Sequence, residues 1–230
     1  MANRLGPAEN RTPDLLRVKE ASYHSTTGPG LDKLFKLAEY IYIDIGVFIV
    51  TKFYTGVGDS GKTAIGGRKL SKGELIFEAV GDIDELNSVI GVAMSKVGND
   101  TVKEALSVVQ NRLFGIGAEI AATIDPMFKP KRAVSVDDTK ALENYIAKLS
   151  SGLDEIREFV LPGGANGAEF LDLGRAVARR AERSVVRLGA VTSLDAGIIT
   201  YLNRLSSLLF VAARRVNMDS GFEEKHPDYS

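Results

Sequence analysis

The chain has 230 residues and a net charge of -1, so it can bury a sizeable core but has no overall basic field for nucleic acid or an anionic membrane. It contains no cysteine, which excludes disulfides, thiolate metal sites and cysteine nucleophiles. Its two histidines, His24 and His226, lie near the chain ends and disfavour a Ser-His-Asp triad or a histidine metal site. We expect a cytoplasmic protein that spans no membrane and works with carboxylates, arginine, lysine, hydroxyls and backbone amides.

Residues 1–50 are predicted to form a poorly determined N-terminal extension. Met1–Gly30 is polar, with scattered proline and glycine and no apolar period, which indicates disorder or loose attachment. Leu31–Val50 is apolar enough for a short helix or strand. A second interpretation stays open, in which the extension is not native because a start codon was assigned too far upstream.

A glycine-rich loop follows at "GVGDSGKT", Gly56–Thr63, which matches the P-loop pattern without a mismatch. A P-loop needs a helix directly after it, but Gly66 and Gly67 would each cost that helix about 1 kcal/mol relative to alanine. The remaining chain also lacks the alternating strands and helices that supply a parallel sheet. We therefore interpret the match as a coincidence of glycine-rich composition, either an ordinary surface turn or a flexible loop that wraps a polyphosphate.

Several groups in this loop suit a polyphosphate. Glycines at 56, 58 and 61 let the backbone approach a ligand closely. The other candidates are the hydroxyls of Thr55 and Thr63, the charges of Lys52 and Lys62, and the carboxylate of Asp59 as a magnesium ligand.

Five amphipathic helices are predicted from residue 74 onward, with short connections that favour antiparallel neighbours. The segments are Phe77–Val97, Thr101–Ala122, Ser135–Gly152, Ala168–Gly189 and Ala196–Met218. One apolar face of the first holds Val80, Ile83, Leu86, Ile90 and Met94, and that of the second holds Val102, Leu106, Val109, Leu113, Ile116 and Ile120. A capping box is predicted at Thr101 and Glu104, and a serine cap at Ser135. The expected fold is an all-α five-helix bundle over residues 51–220, followed by a flexible tail over 221–230.

The fourth helix carries a row of arginines. Arg175, Arg179 and Arg183 are spaced i, i+4 and i+8, with Arg180 and Arg187 beside them and Glu182 between. Such a row indicates either a solvated basic face or an anion or partner carboxylate opposite. Acids of the first helix, Asp82, Asp84 and Glu85, are candidate partners or simply suit the helix dipole. Asn203 and Arg204 interrupt the apolar face of the last helix, and a polar residue there is either a satisfied core amide or a ligand contact.

Four separated stretches resemble the PduO-type ATP:cob(I)alamin adenosyltransferases in content, order and approximate spacing. They are "YTGVGDSGKT", "FEAVGDIDELNSVIG", "FVLPGG" followed by "LGRAVARRAER", and "YLNRLSSLLFVAAR", over Lys52 to about Asn217. The resemblance implies transfer of the 5′-deoxyadenosyl group of ATP to the cobalt of reduced cob(I)alamin, giving adenosylcobalamin and triphosphate. It also implies a homotrimer with active sites between subunits, use of Mg²⁺, binding of cob(II)alamin before its reduction, and a reductase or corrinoid-dependent enzyme as a further partner.

The resemblance also implies roles for individual residues. The implied ATP-binding residues are Thr55, Gly56, Gly58, Asp59, Gly61, Lys62, Thr63, Arg179, Arg180, Glu182, Arg183 and Asn203. Arg179 would also act in catalysis, and Arg175 would pair with Asp84 across the subunit boundary. Phe159 is similar to the family's aromatic residue that crowds the lower face of the corrin.

Two departures from the family pattern and three alternatives accompany this interpretation. Lys62 stands where the family commonly has threonine, which creates the P-loop match, and Ser207 stands where the family often has aspartate. The main alternative is an ATP-binding helical bundle without catalysis, such as a sensor. The others are a nucleic-acid-binding bundle, which near-neutral charge disfavours, and a P-loop kinase, which would release ADP where the transferase releases triphosphate.

Overall fold

The computed structural model describes residues 54, 56, 58–65, 68–125 and 132–229. The N-terminal extension, Lys52 and Thr55 lie outside the described residues. A short hairpin precedes five helices, and its strands are β1 (Lys62–Ile65) and β2 (Arg68–Ser71). The helices are α1 (Leu75–Lys96), α2 (Asp100–Ala122), α3 (Val136–Ser150), α4 (Ala168–Gly189) and α5 (Ala196–Asp219). The predicted all-α bundle of five helices is confirmed.

The bundle is arranged around α4, which packs between α1 and α5. On the outer sides, α2 packs against α1 and α3 packs against α5. Ion pairs show the relative directions of the helices. Arg180 pairs with Glu85, and Arg187, further along α4, pairs with Glu78, which comes earlier in α1. The helices α1 and α4 are therefore antiparallel. By contrast, α3 and α5 run parallel, since α5 contacts Glu143 from Arg204 and the end of α3 from Arg215.

The helix starts differ partly from the sequence prediction. Ser135 and Asp138 form a reciprocal capping box at the start of α3, so the serine cap predicted there is confirmed. The capping box predicted at Thr101 and Glu104 is wrong, because Asn99 caps α2 by accepting a 3.0 Å hydrogen bond from the Val102 amide. An asparagine that directly precedes the helix satisfies the free amide and leaves no cap position for Thr101.

The core was predicted more accurately for α2 than for α1. All six apolar residues predicted on one face of α2 are buried. In α1, Ile83, Leu86 and Ile90 are buried, but Val80 and Met94 are only partly buried. The rest of the buried face of α1 consists of Ile76, Ala79, Asn87 and Ala93. Because α1 packs against both α2 and α4, its buried face is wider than a single stripe and is centred differently.

The glycine-rich loop leads into the hairpin. Its turn is closed by hydrogen bonds from the Asp59 amide to the Gly56 carbonyl at 3.2 Å and from the Gly61 amide to the Gly58 carbonyl at 3.1 Å. In the antiparallel hairpin that follows, Thr63 lies opposite Leu70. A P-loop would begin a helix where β1 lies, so the rejection of a P-loop is confirmed.

Among the described residues, α5 is the one helix long and apolar enough to cross a membrane by length and composition. It packs against both α3 and α4, and eleven of its residues are buried. Its apolar character follows from this central position in the bundle.

Candidate active site

Four arginines of α4 form two groups, and the first group, Arg180 and Arg187, reaches the acids of α1, although Arg187 also lines the groove described below. The Nε atom of Arg180 lies 3.2 Å from the Asp82 carboxylate, and Arg180 also pairs with Glu85. The Nη2 atom of Arg187 lies 2.5 Å from the Glu78 carboxylate. The hydrogen bond to Glu85 raises the pKa of Arg180, so this guanidinium stays charged. Two of the candidate acids, Asp82 and Glu85, are therefore partners of Arg180 within one chain, whereas Glu78, the partner of Arg187, was not among the candidates.

The second group of arginines faces a groove beside α5. Arg179, Glu182, Arg183 and Asn203 line a cavity of about 450 Å³ together with Val186 and Arg187. This volume is in the range of small-molecule sites. The amide of Asn203 donates a 3.2 Å hydrogen bond to the Glu182 carboxylate, and so joins α5 to α4 at the groove.

Arg179 and Arg183 have positive charges that no carboxylate neutralises in the described part of the chain. The guanidinium of Arg179 is exposed and makes no hydrogen bond or ion pair with a described residue. Arg183 donates a 3.0 Å hydrogen bond to the backbone carbonyl of Arg179. Two such guanidinium groups one helical turn apart suit an anion with several oxygens, because each can bind a phosphate in bidentate fashion.

Four of the residues implied for ATP thus share one groove: Arg179, Glu182, Arg183 and Asn203. The structure directs Arg180 to the acids of α1 instead. Of the described loop residues, Gly56, Gly58, Asp59 and Gly61 lie in the loop before the hairpin and Lys62 and Thr63 lie in β1, and none of them lines the groove. The side chain of Thr63 is buried, and its hydroxyl has no hydrogen-bond partner among the described residues.

Asp84 and Arg175, implied as a pair between subunits, do not pair with each other in the described part of this chain, where Arg175 lies near Asp172 of its own helix. Asp84 is exposed, and its carboxylate makes no hydrogen bond or ion pair with any residue that the structure describes. The Nε atom of Arg175 is buried without a hydrogen bond, 3.7 Å from an Asp172 oxygen. The guanidinium carbon of Arg175 lies 6.0 Å from the ring centre of Phe210. These placements leave the predicted pair untested.

Phe159 lies in the connection between α3 and α4, and its side chain is 79% exposed. The Pro-Gly-Gly turn that follows is held by two helices. From α4, the Asp172 carboxylate accepts a 2.9 Å hydrogen bond from the Gly163 amide. From α5, Asn217 accepts a 2.9 Å bond from the Ala165 amide and donates a 3.2 Å bond to the Gly163 carbonyl. Burial raises the pKa of Asp172, against the effect of the Gly163 amide.

The sequence analysis did not identify Asn217, although this residue fixes the turn. It is 3% exposed, and a Cβ atom added to Gly164 would lie 2.0 Å from its Oδ1 atom. The available signal was an asparagine in the last turns of an otherwise apolar helix face, the same signal that pointed to Asn203.

Comparison with known proteins now assigns the family. Residues 53–216 match the sequence profile described as cobalamin adenosyltransferase. The chain belongs to the cobalamin adenosyltransferase family. The resemblance stated from the four sequence stretches is thereby confirmed.

Two relatives and one solved structure show how far this cobalamin adenosyltransferase resembles others. It is 38% identical over 174 residues to the cobalamin adenosyltransferase of Cupriavidus metallidurans, a match covering 75% of this chain and 91% of that one. It is 36% identical to the corrinoid adenosyltransferase of Bacillus subtilis, over 74% of this chain and 89% of the relative. A variant PduO-type ATP:corrinoid adenosyltransferase from Lactobacillus reuteri, solved in complex with cobalamin and ATP, superposes with a TM-score of 0.70. That structure is 31% identical and covers 78% of this chain and 98% of its own.

The two departures from the family pattern are both on the surface. Lys62 is exposed at the start of β1, and Ser207 is exposed on α5, one helical turn beyond Asn203. Among the described residues of this cobalamin adenosyltransferase, no group of three or more histidine or acidic side chains could hold a metal ion.

Proposed function

We propose that this chain is an ATP:corrinoid adenosyltransferase, which transfers the 5′-deoxyadenosyl group of ATP to the cobalt of reduced cob(I)alamin and releases triphosphate. The observation that carries this proposal is the groove between α4 and α5. There Arg179 and Arg183 pair with no carboxylate of the described residues, and the 450 Å³ volume suits a nucleotide. Membership of the cobalamin adenosyltransferase family favours this activity over an ATP-binding bundle without catalysis.

The groove residues divide the work of holding ATP. Arg179 and Arg183 bind phosphate oxygens, because their charges face the groove and neither forms an ion pair with a described carboxylate; the carboxylate of Glu182 accepts a hydrogen bond from Asn203 instead. Glu182 and Asn203, joined by a hydrogen bond of 3.2 Å, offer both an acceptor and a donor to the nucleoside. The pairs that Arg180 makes with α1 keep α4 in register.

The reaction needs no base from the protein. The electron pair of Co(I) forms the bond to C5′ of the ribose, and the C5′–O bond breaks so that its electrons leave with triphosphate. Negative charge on the leaving group grows during this step, and a preorganised pair of guanidinium groups stabilises it. The protein's other task is placement, since a fixed geometry lowers the entropic part of the barrier.

We further propose that the active enzyme is a cytoplasmic homotrimer with active sites between subunits. Two observations support an intersubunit site: the exposed Asp84 carboxylate has no partner among the described residues, and the buried Nε atom of Arg175 donates no hydrogen bond to any of them. In such an assembly the glycine loop, with Asp59, Lys62 and Thr63, would close over the phosphates. We propose that Mg²⁺ binds together with the triphosphate, because this ion is coordinated by one or two carboxylates plus phosphate oxygens. Asp59 of the glycine loop is the carboxylate that we propose for it.

Phe159 is proposed to contact the lower face of the corrin ring. Its exposed side chain could press on that face and exclude water or another axial ligand from cobalt. Loss of the lower ligand favours reduction of cob(II)alamin to the Co(I) nucleophile. The reductase that supplies this electron is a further proposed partner.

Product analysis tests the proposed function. The purified chain is incubated with chemically reduced cobalamin, ATP and Mg²⁺, while corrinoid absorbance is followed and the nucleotide products are separated. We expect one triphosphate for each adenosylcobalamin formed. ADP as the product would indicate a kinase, and ATP binding without any change of the corrinoid would indicate a non-catalytic bundle; either result would overturn the proposal.

A further inference from the structure

The C-terminal tail contacts the backbone of the segment that carries Phe159. The Leu161 amide donates a 2.8 Å hydrogen bond to the Lys225 carbonyl. The Nδ1 atom of His226 lies 2.9 Å from the Phe159 carbonyl oxygen. This segment lies in the helix-free connection between α3 and α4. The tail therefore supplies hydrogen bonds that a regular element would otherwise provide.

The tail is itself anchored to α5. The Nε atom of Arg214 lies 3.0 Å from the Glu224 carboxylate, and these side chains are only 12% and 17% exposed. Solvent and salt screen such a pair less than a surface pair. The other Glu224 oxygen lies 3.4 Å from the amide nitrogen of Asn217, which also holds the Pro-Gly-Gly turn. Arg214 in addition donates a 3.2 Å hydrogen bond to the Asp154 carbonyl, earlier in the same connection.

The chain reverses direction at the end of α5 to make these contacts. Gly221 adopts a left-handed conformation with φ of 66°, and the Phe222 amide donates a 2.9 Å hydrogen bond to the Asn217 carbonyl. Residues 222–226 therefore run back along the connection. The expectation of a flexible tail did not foresee these contacts.

We propose that residues 222–226 form a strap that positions Phe159, with Arg214 and Glu224 as the positioning residues that anchor it. The Phe159 ring is 79% exposed, so packing against the chain fixes it little, and its direction depends on the backbone that carries it. That backbone is bonded to the strap at Phe159 itself and two residues later. The expected kinetic effect rests on the proposed function, whereas the positioning effect does not.

A fluorescence measurement tests the positioning directly. The chain contains no tryptophan, so Phe159→Trp introduces a single reporter at the position of interest. In this background, Glu224→Ala breaks the anchor, and Glu223→Ala is the matched control, because Glu223 is exposed and makes no hydrogen bond or ion pair with a described residue. We expect time-resolved anisotropy to show a larger fast component for Glu224→Ala than for the control. Equal decays in the two variants would overturn the strap.

A kinetic measurement then connects the strap to turnover, with Phe159 in place. We expect Glu224→Ala to lower kcat by roughly 10- to 100-fold, the scale on which a misplaced group impairs a reaction, and to change the KM for ATP by less than about twofold. The EPR spectrum of bound cob(II)alamin should also change, because it reports axial ligation at cobalt. Arg214→Ala should act in the same way, and Glu224→Gln, which keeps the hydrogen-bonding shape, should restore part of kcat.

The outcomes separate the two proposals. If the unmodified chain forms no adenosylcobalamin, the proposed function is wrong. The anisotropy comparison would still test whether the strap positions residue 159. If the unmodified chain is active, and Glu224→Ala matches Glu223→Ala in kcat and EPR spectrum, the strap fails and the function stands. Thermal unfolding shows whether each variant is folded, and a loss of ATP binding equal to the loss of kcat would count against a positioning role.

Discussion

Arg179 and Arg180 are adjacent in sequence but should have opposite effects when each is replaced by alanine. Arg179 is exposed to the groove and its side chain has no hydrogen-bond or ion-pair partner in the part of the chain that the structure describes, so Arg179→Ala should change the free energy of unfolding by less than about 0.5 kcal/mol. Hydrogen bonds to a charged group contribute about 1.5–3 kcal/mol. Arg179→Ala removes the hydrogen bonds that Arg179 is proposed to make to phosphate, and should therefore weaken ATP binding roughly 10- to 150-fold.

Arg180→Ala should destabilise the fold and leave ATP binding nearly unchanged. It leaves Asp82, whose side chain is 14% exposed, without its cation, although Ser184 still donates a hydrogen bond to it. Since Arg180 and Glu85 are 42% and 51% exposed, solvent screening reduces the loss. We expect about 1–2 kcal/mol, which corresponds to a fall of roughly 2–8 °C in Tm for a domain of this size.

Isothermal titration with Mg-ATP and thermal unfolding followed by circular dichroism measure both quantities for both variants. Arg183→Ala should resemble Arg179→Ala, since it faces the same groove. If Arg180→Ala weakens ATP binding as much as Arg179→Ala does and leaves Tm unchanged, the division of the arginines between α1 and the groove is wrong. That result would restore Arg180 to the phosphate site that the family resemblance implied.

Three further predictions concern stability. Gly164→Ala should lower the free energy of unfolding in urea by about 2–4 kcal/mol, because φ is +136° and the added Cβ meets Asn217. Gly163→Ala, at φ of +121° but with open space around the added Cβ, should lower it by only about 1–2 kcal/mol. Equal losses in the two variants would contradict the steric origin of the difference. Burial raises the pKa of Glu119, so the native state loses stability as pH rises from 4.5 through the raised pKa and the carboxyl group ionises. The free energy of unfolding of Glu119→Gln should therefore rise relative to that of the parent over this range. A constant difference between the two proteins from about pH 4 to 7 would refute this. The Tyr201 hydroxyl is buried without a hydrogen-bond partner among the described residues. Tyr201→Phe should therefore change the free energy of unfolding by between a loss of about 0.5 kcal/mol and a gain of about 1 kcal/mol. A loss above about 2 kcal/mol would show that the hydroxyl has a partner outside the described residues.

The fold was largely predictable because its signal is local. The apolar face of α2 repeats at helical spacing and packs as predicted. The hairpin was not predicted, since its four-residue strands lie beside glycines and have little apolar alternation. Short strands of this kind give a weak period-2 signal next to helices of 15 residues or more.

The site was predictable only in part, and for a different reason. The spacing of Arg179 and Arg183 placed them on one face of a helix, but spacing does not determine how that helix is rotated in the bundle. Only the packing on α1 shows that Arg180 is already paired. The contact between Asn217 and Ala165 joins residues 52 positions apart, and no local pattern contains it.

The central position of α4 makes the placement of Arg179 and Arg183 sensitive to substitutions elsewhere in the bundle. One flank of this helix is ion-paired to α1, and the other is joined to α5 by the amide of Asn203. A small rotation of α4 would swing the groove arginines away from a bound triphosphate. A substitution at Glu78 frees Arg187, which also lines the groove, and should therefore change the affinity for ATP although Glu78 touches no nucleotide in this arrangement.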